Sequence, residues 1–267
     1  MSDPLLLTVD ARGVATATFN RPERANAYDE AMLTALRLGL DRLARDAKVR
    51  CLVIRGTGRH FQAGADIEWL GRVADYSPAR ALAASMAAVD ACRTLNEWPK
   101  PTIAIVHGAC FGGGAGMVCC ADVVLATPDA QFGLTEVRVG VAPTPISTHM
   151  VHAIGLRHTR RYALTGERFD AAEACRIGLV HEVVSPDRIE ARLSEILDAV
   201  FLGAPGAIAA TKRSFLRATG WRLDDQTADR LAHESWVQRA SAEGREGTTA
   251  FRERRRPTWW VPDGSRA

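Results

Sequence analysis

Apolar and polar positions alternate in blocks along this chain, and the block period changes from two to about 3.6. Leu5 to Val9 and Val14 to Phe19 read as two strands, and the Asp-Ala-Arg-Gly stretch between them makes a hairpin. Asn20-Arg21-Pro22-Glu23-Arg24 breaks that pattern. Asp29 then stands as an N-cap for an amphipathic helix running to about Ala44, with Met32, Leu33, Leu36, Leu40 and Leu43 on one face. Val49 to Arg55 is a short continuous apolar run, the signature of a strand covered on both faces, and Gly56-Thr57-Gly58 ends it. Ala79 to Leu95 predicts a long helix lined with small apolar residues and stopped by Pro99 and Pro101. Thr102 to Val106 predicts a buried strand, Gly112 to Cys120 a helix and Asp122 to Ala126 a further strand. The rest reads as helix after helix: Met150 to Ile154 following Pro143 and Pro145, then Arg160 to Leu164, Ala171 to Ile177, Arg188 to Leu202 and Pro205 to Thr219. Strands alternating with helices, followed by a helical tail, predict an α/β core with a helical C-terminal region. There is no internal repeat and no low-complexity linker. The tail has few strands to cover, so it is expected to pack against another subunit.

Candidate chemistry begins at two glycine-bearing segments. His60-Phe61-Gln62-Ala63-Gly64-Ala65-Asp66 follows the 49–55 strand, and Phe111-Gly112-Gly113-Gly114-Ala115-Gly116 follows the 102–106 strand. Each is expected to lead into a helix, where unpaired N–H groups and the positive end of the dipole meet. The N–H of Ala65 and that of Gly113 are therefore candidate donors to a negative oxygen. Asp66 is expected in the first turn of its helix, where an acid is favourable. A tight strand-to-helix packing turn is the structural alternative. A dinucleotide loop fails on position, and no Gly-Lys-Ser/Thr follows to make a phosphate loop. Downstream, Glu136 is the only acid in the apolar stretch 130–142, placed after an expected turn at Gly133. Such a carboxylate is paired, solvated or functional. Arg138 is a ready salt-bridge partner.

Bulk properties narrow the class. At 267 residues the chain makes one large domain, or one domain with an appendage, and 47% hydrophobic with 24% charged residues is ordinary for a globular protein. No apolar run approaches the ~18 residues of a membrane helix. Met1-Ser2-Asp3-Pro4 lacks the basic flank and cleavage-like site of a targeting peptide, so a cytoplasmic location is expected. Cys51, Cys92, Cys110, Cys119, Cys120 and Cys175 form no metal-ligand spacing and read as small hydrophobes in a reducing compartment. No metal site is expected. A net charge of +3 is too small to argue for nucleic acid. Arg252, Arg254, Arg255 and Arg256 cluster near the C-terminus around Glu253, as a solvated helix end or as a grip for phosphates.

Taken in order, several segments resemble the enoyl-CoA hydratase/isomerase (crotonase) superfamily over nearly the whole chain. They are Asn20-Arg21-Pro22 with Asn26-Ala27, Phe61 to Asp66, Gly112-Gly113-Gly114, and Ala130-Gln131-Phe132-Gly133 with Glu136. The match continues through Leu164-Thr165-Gly166-Glu167, Ala171-Ala172-Glu173-Ala174 and Gly178-Leu179-Val180 to Glu246-Gly247 and Ala250-Phe251. The resemblance implies a spiral of ββα turns over residues 1–200 and a helical trimerisation region over 201–267, in trimers or paired trimers. It implies an acyl-CoA thioester as substrate, with coenzyme A as part of the substrate and no further cofactor. By match, the N–H groups of Ala65 and Gly113 would polarise the thioester carbonyl. Ala63, Ala65, Asp66, Ile67 and Glu68, flanked by Arg24 and Ala25, would line the coenzyme A end. Phe251 and Arg254 match tail positions that reach coenzyme A.

Typical hydratases of the family use two glutamates. The second matches Glu136, and the first falls at Gly116, which has no side chain. The segments 111–116, 136–143 and 160–169 are similar to the bacterial 3-methylglutaconyl-CoA and γ-carboxygeranoyl-CoA hydratase branch. That places a hydratase of a 2-enoyl-CoA first, with Gly116 making room for a branched or carboxylated acyl chain. A Δ3,Δ2-enoyl-CoA isomerase using Glu136 alone is the second reading, and decarboxylation is a third. His149, Thr144 and Ser147 are candidate replacements for the missing glutamate. A non-catalytic acyl-CoA binder is a different class of protein, as is an RNA binder using the arginine cluster, with Trp259 and Trp260 just beyond it.

Overall fold

The computed structural model describes residues 3–261, so Met1-Ser2 of the leader reading and the last six residues of the 201–267 region lie outside it. Among the described residues, nine strands and ten α-helices follow one another in order. β1 (Leu5–Val9) and β2 (Val14–Phe19) form the expected hairpin, paired antiparallel from Leu5↔Phe19 to Val9↔Ala15. α1 (Glu30–Arg45) starts where Asp29 accepts a hydrogen bond from the N–H of Met32 at 3.0 Å. Next come β3 (Cys51–Gly56), α2 (Ile67–Val73), α3 (Pro78–Asn96), β4 (Thr102–Val106), β5 (Ala109–Phe111), α4 (Gly113–Cys119), β6 (Val123–Ala126) and β7 (Gln131–Gly133). The last part holds α5 (Ser147–Thr165), β8 (Arg168–Asp170), α6 (Ala171–Arg176), β9 (Glu182–Val183), α7 (Ile189–Leu202), α8 (Pro205–Ala218), α9 (Asp225–Ala240) and α10 (Ala242–Arg252).

β1 to β4, β6 and β9 make one sheet in the order β1-β2-β3-β4-β6-β9, parallel beyond the first pair. A smaller sheet, β5-β7-β8, stands beside it. This is the crotonase-like α/β spiral, with a helical C-terminal region. The continuous apolar run of β3 is explained by its two covered faces. Leu52 and Ile54 join the main core with the apolar face of α1, while Cys51 and Val53 join a second core against Ile189, Leu193 and Leu197 of α7. Five of the six cysteines are buried free thiols, and Cys175 is half-buried.

Three features differ from the sequence reading. The turn expected at Gly133 is instead the end of β7, and Glu136 opens a 3-10 helix, Glu136–Val139. The separate helices expected at 150–154 and 160–164 are one element, α5, broken at Gly155 by a backbone at φ 74° and ψ 157°. The tail also covers its own chain: Leu223, Ala228, Leu231 and Ala232 pack with Val89 of α3.

Candidate active site

The loop from β3 to α2 is tied to the second glycine segment through backbone. Gln62 bridges to β5: its N–H donates to Ala109 O at 3.0 Å, and its carbonyl accepts from Phe111 N at 3.0 Å. Its buried side-chain Oε1 accepts from the N–H of Gly64 at 2.8 Å. Gly64, at φ +93°, turns the chain so that Tyr28 can bracket the next residue. Tyr28 N donates to Gly64 O at 2.9 Å, and its carbonyl accepts from Asp66 N at 2.8 Å. The N–H of Ala65, between these bonds, has no acceptor among the described residues. The same is true of Gly113 at the first position of α4, after Gly112 (φ 53°, ψ −124°) has used its own N–H on Gly133 O at 2.8 Å. Ala65 and Gly113 both line one cavity of about 390 Å³. Side chains are excluded around it. A Cβ on Gly113 would lie 2.6 Å from the Tyr28 ring and 2.8 Å from its hydroxyl, and one on Gly112 would lie 2.9 Å from Glu136 Oε1.

Glu136 faces the same cavity. Its Oε2 is shielded from solvent and has no hydrogen-bond partner among the described residues. Burial pushes the carboxyl up from its ordinary range to about 7, against the opposing pull of its own backbone N–H and of the Arg239 guanidinium. The salt bridge to Arg138 offered by the sequence does not form. Arg138 is exposed and lies against Gly166, with its Nε 2.9 Å from where a Cβ on that glycine would sit.

Asp66 is the N-cap of α2 rather than a first-turn residue. It accepts from Glu68 N at 2.9 Å and Trp69 N at 3.3 Å. Arg21 pins it at 3.0 Å and reaches Asp29 at 3.1 Å. One guanidinium thereby joins the cap of α1, the cap of α2 and the Ala65 segment.

Of the other sequence candidates, Ala63, Ile67 and Phe251 line the cavity. Arg24 and Glu68 form an exposed two-pronged pair at 3.0 and 3.1 Å, and the carbonyl of Ala25 accepts from Ala63 N at 3.0 Å. Arg254 is exposed at a positive φ of 53°. Its neighbour Arg255 is committed to Glu246 and Glu253.

Gly116 does not open room for an acyl chain. A Cβ there would overlap Cγ2 of Ile146 and lie 2.7 Å from its Cβ, so the slot is filled by Ile146, which itself lines the cavity. Nor do the three candidate substitutes for a glutamate reach the cavity lining. Buried His149 accepts from Trp221 Nε1 through Nδ1 at 3.3 Å, and burial holds it down at about 4. Thr144 Oγ1 is buried without a partner among the described residues, and Ser147 Oγ donates to the Thr144 carbonyl at 2.9 Å. Among the lining residues with polar side chains, Tyr28 and Arg239 carry no sequence signal. Burial raises the Tyr28 phenol well above its ordinary value, so it is neutral at physiological pH. No metal-ligating cluster occurs among the described residues.

A spiral α/β fold, two unpaired N–H groups and one buried carboxyl on a common cavity define an acid–base enzyme that handles a developing negative oxygen. Residues 10–261 match the family model described as enoyl-CoA hydratase/isomerase, and the chain belongs to that family. It is an enzyme of the enoyl-CoA hydratase type. A solved enoyl-CoA hydratase from Mycobacterium avium is 35% identical over 97% of this chain and 100% of its own, with a TM-score of 0.85. A mevalonyl-coenzyme A hydratase of Aspergillus fumigatus is 32% identical, covering 91% of this chain and 89% of its own. A mitochondrial Δ(3,5)-Δ(2,4)-dienoyl-CoA isomerase of Dictyostelium discoideum is 30% identical, covering 93% and 88%.

Proposed function

We propose that this protein hydrates a 2-enoyl-CoA with a single carboxyl group. The observation that carries this reading is the state of Glu136: a carboxyl beside Gly112, with one shielded and unpartnered oxygen, held at about 7 in a cavity where the place of the other family glutamate is filled by Ile146. A group at about 7 exists in both forms under working conditions, so it can take a proton and return it. The thioester carbonyl would accept from Ala65 and Gly113. As water adds to the β carbon, ionised Glu136 takes its proton, and the carbonyl becomes an enolate held by the two N–H groups. The same carboxyl then protonates the α carbon, which completes the addition of one water.

The absence of a second carboxyl also suits Δ3,Δ2 isomerisation, in which Glu136 would carry one proton from the α to the γ carbon. The substrate's coenzyme A moiety is assigned to the face carrying Arg24, Ala25, Asp66, Glu68 and Arg254, since Ala63, Ile67 and Phe251 extend the cavity toward those elements. No cofactor beyond that coenzyme A is needed. Self-association into trimers or paired trimers is supported by exposed apolar residues on the outer helices: Leu164 at 70%, Leu202 at 91% and Phe215 at 68%.

The test is a pair of assays that follow the conjugated thioester absorbance. A 2-enoyl-CoA should lose it on hydration, and a 3-enoyl-CoA would gain it on isomerisation. Glu136→Gln should lower kcat on the active substrate by about a thousandfold with little change in KM. Full activity in that variant would remove Glu136 from the chemistry. Tight acyl-CoA binding without turnover of either substrate would make the protein a binder.

A further inference from the structure

One polar group on the cavity has no part in the chemistry above. Tyr28 is 6% exposed and lines the cavity, and its hydroxyl makes no hydrogen bond to any described residue. The oxygen is not sealed inside the protein as Glu136 Oε2 is, so it opens on the cavity itself. A buried tyrosine hydroxyl normally finds a partner, and leaving one without is unfavourable. A phenylalanine would fill the same space without that cost.

The position of the ring shows what the hydroxyl faces. Tyr28 touches both halves of the donor pair. Its backbone brackets Ala65 through the bonds to Gly64 O and from Asp66 N, in a parallel bridge. Its ring lies on Gly113, where the place of a Cβ is 2.6 Å from Cε1 and 2.8 Å from the hydroxyl oxygen. The hydroxyl therefore stands beside the Cα that carries the Gly113 N–H. Trp69 holds the ring edge-on, with centroids 5.9 Å apart and an interplanar angle of 66°. Glu136 approaches the preceding glycine instead, its Oε1 2.9 Å from the place of a Cβ on Gly112. The phenol thus belongs to the donor side of the cavity and the carboxyl to the proton-transfer side. Burial keeps the phenol protonated, while the Arg239 guanidinium pulls the other way. That cation favours the negative charge that builds on the phenol oxygen as it donates.

We propose that the Tyr28 hydroxyl is a third donor to the thioester carbonyl oxygen, beside the N–H groups of Ala65 and Gly113. It keeps its proton throughout, and its hydrogen bond strengthens as the carbonyl becomes an enolate. Gly113 and Tyr28 are then a matched pair, since any side chain at 113 would push the phenol away from that oxygen. This proposal rests on the acyl-CoA reading of the cavity given above.

Tyr28→Phe keeps the ring and removes the donor. It should lower kcat about a hundredfold on the substrate that the protein turns over, with KM changed by less than about threefold. Its urea midpoint should equal or exceed that of the unaltered protein, whereas loss of a structural hydrogen bond would lower it. The direct readout is the carbonyl stretch of bound butyryl-CoA, carbon-13-labelled at the thioester carbonyl and followed by isotope-edited infrared spectroscopy. This saturated probe needs no turnover. The stretch should fall on binding, and in Tyr28→Phe it should return part of the way to the free value. The proposal is overturned if the bound frequency is the same in both proteins, even where kcat falls, because the hydroxyl would then act elsewhere, as on the attacking water. It is equally overturned if kcat in Tyr28→Phe stays within about twofold. An equally lowered stretch in both proteins leaves the two N–H donors and the acyl-CoA reading standing. A probe that binds with no shift in either protein removes the paired donors as well, and failure of every acyl-CoA to bind removes the acyl-CoA reading itself.

Discussion

Replacing Glu136 by glutamine keeps the shape of the side chain against Gly112 and removes its charge. In the folded protein the carboxyl titrates at about 7, and in the unfolded chain at its ordinary value near 4.5. Its folded value is raised, so the folded state resists ionisation. The penalty is absent below about pH 4.5, grows as pH rises toward 7 and is complete above it. At about 1.4 kcal/mol per pH unit, that interval corresponds to about 3 kcal/mol. Glutamine adds an offset of its own, because an unpartnered buried amide costs about 1–3 kcal/mol, but that offset does not vary with pH. The informative quantity is therefore the stability difference between variant and parent. It should move in favour of Glu136→Gln by about 3 kcal/mol between pH 4.5 and pH 8. Urea unfolding at a series of pH values and one fixed protein concentration measures it, and other titrating groups cancel because both proteins contain them. A difference that stays flat with pH would mean that the carboxyl is solvated or paired, and the dry-base account of the site would fail with it.

His149 predicts the opposite pH response. Its folded value is depressed to about 4, so the stability of the neutral form is lost as pH falls from about 6.5 to 4, and His149→Gln should flatten that acid limb by about 3 kcal/mol. Gly112→Ala should lower kcat by about a hundredfold while the fold survives, because the new methyl displaces Glu136 Oε1 from a backbone already at positive φ. Gly116→Ala should cost about 1–3 kcal/mol in thermal or urea unfolding through overlap with Ile146, and adding Ile146→Ala should recover only part of it. Arg21→Met should cost about 3 kcal/mol and raise KM, since the caps of α1 and α2 and the Ala65 segment share that one guanidinium. Intact stability with normal kinetics would show that the Arg21 bonds are dispensable.

Local rules read much of this chain correctly. Asp29 is the cap that the sequence marks, and the apolar run 51–54 is buried on both faces. The two glycine segments and Glu136 meet on one cavity because each follows from a local signal: a strand, a glycine, an isolated acid in an apolar stretch. The unread parts are those with no local signature. β5, β7 and β8 have three residues each, too few to show a period of two. Arg239 sits on a helix whose pattern is mostly polar, and the packing of α9 against α2 and α3 buries it. The role of Gly116 is hidden from local rules for the same reason. A missing side chain looks like space along the sequence, whereas in three dimensions Ile146, thirty residues away, occupies it.

That contact also bears on which sequence changes the site can accept. A glutamate at position 116 needs one residue change, but the product would collide with Ile146. Trimming Ile146 first would leave a hole in the wall of the cavity before any carboxyl could use it. Each single step is therefore worse than its starting point, and the two-carboxyl arrangement is reachable only by a paired change. The packing of Ile146 against Gly116 thus sets a steric barrier to a second carboxyl that is independent of the substrate.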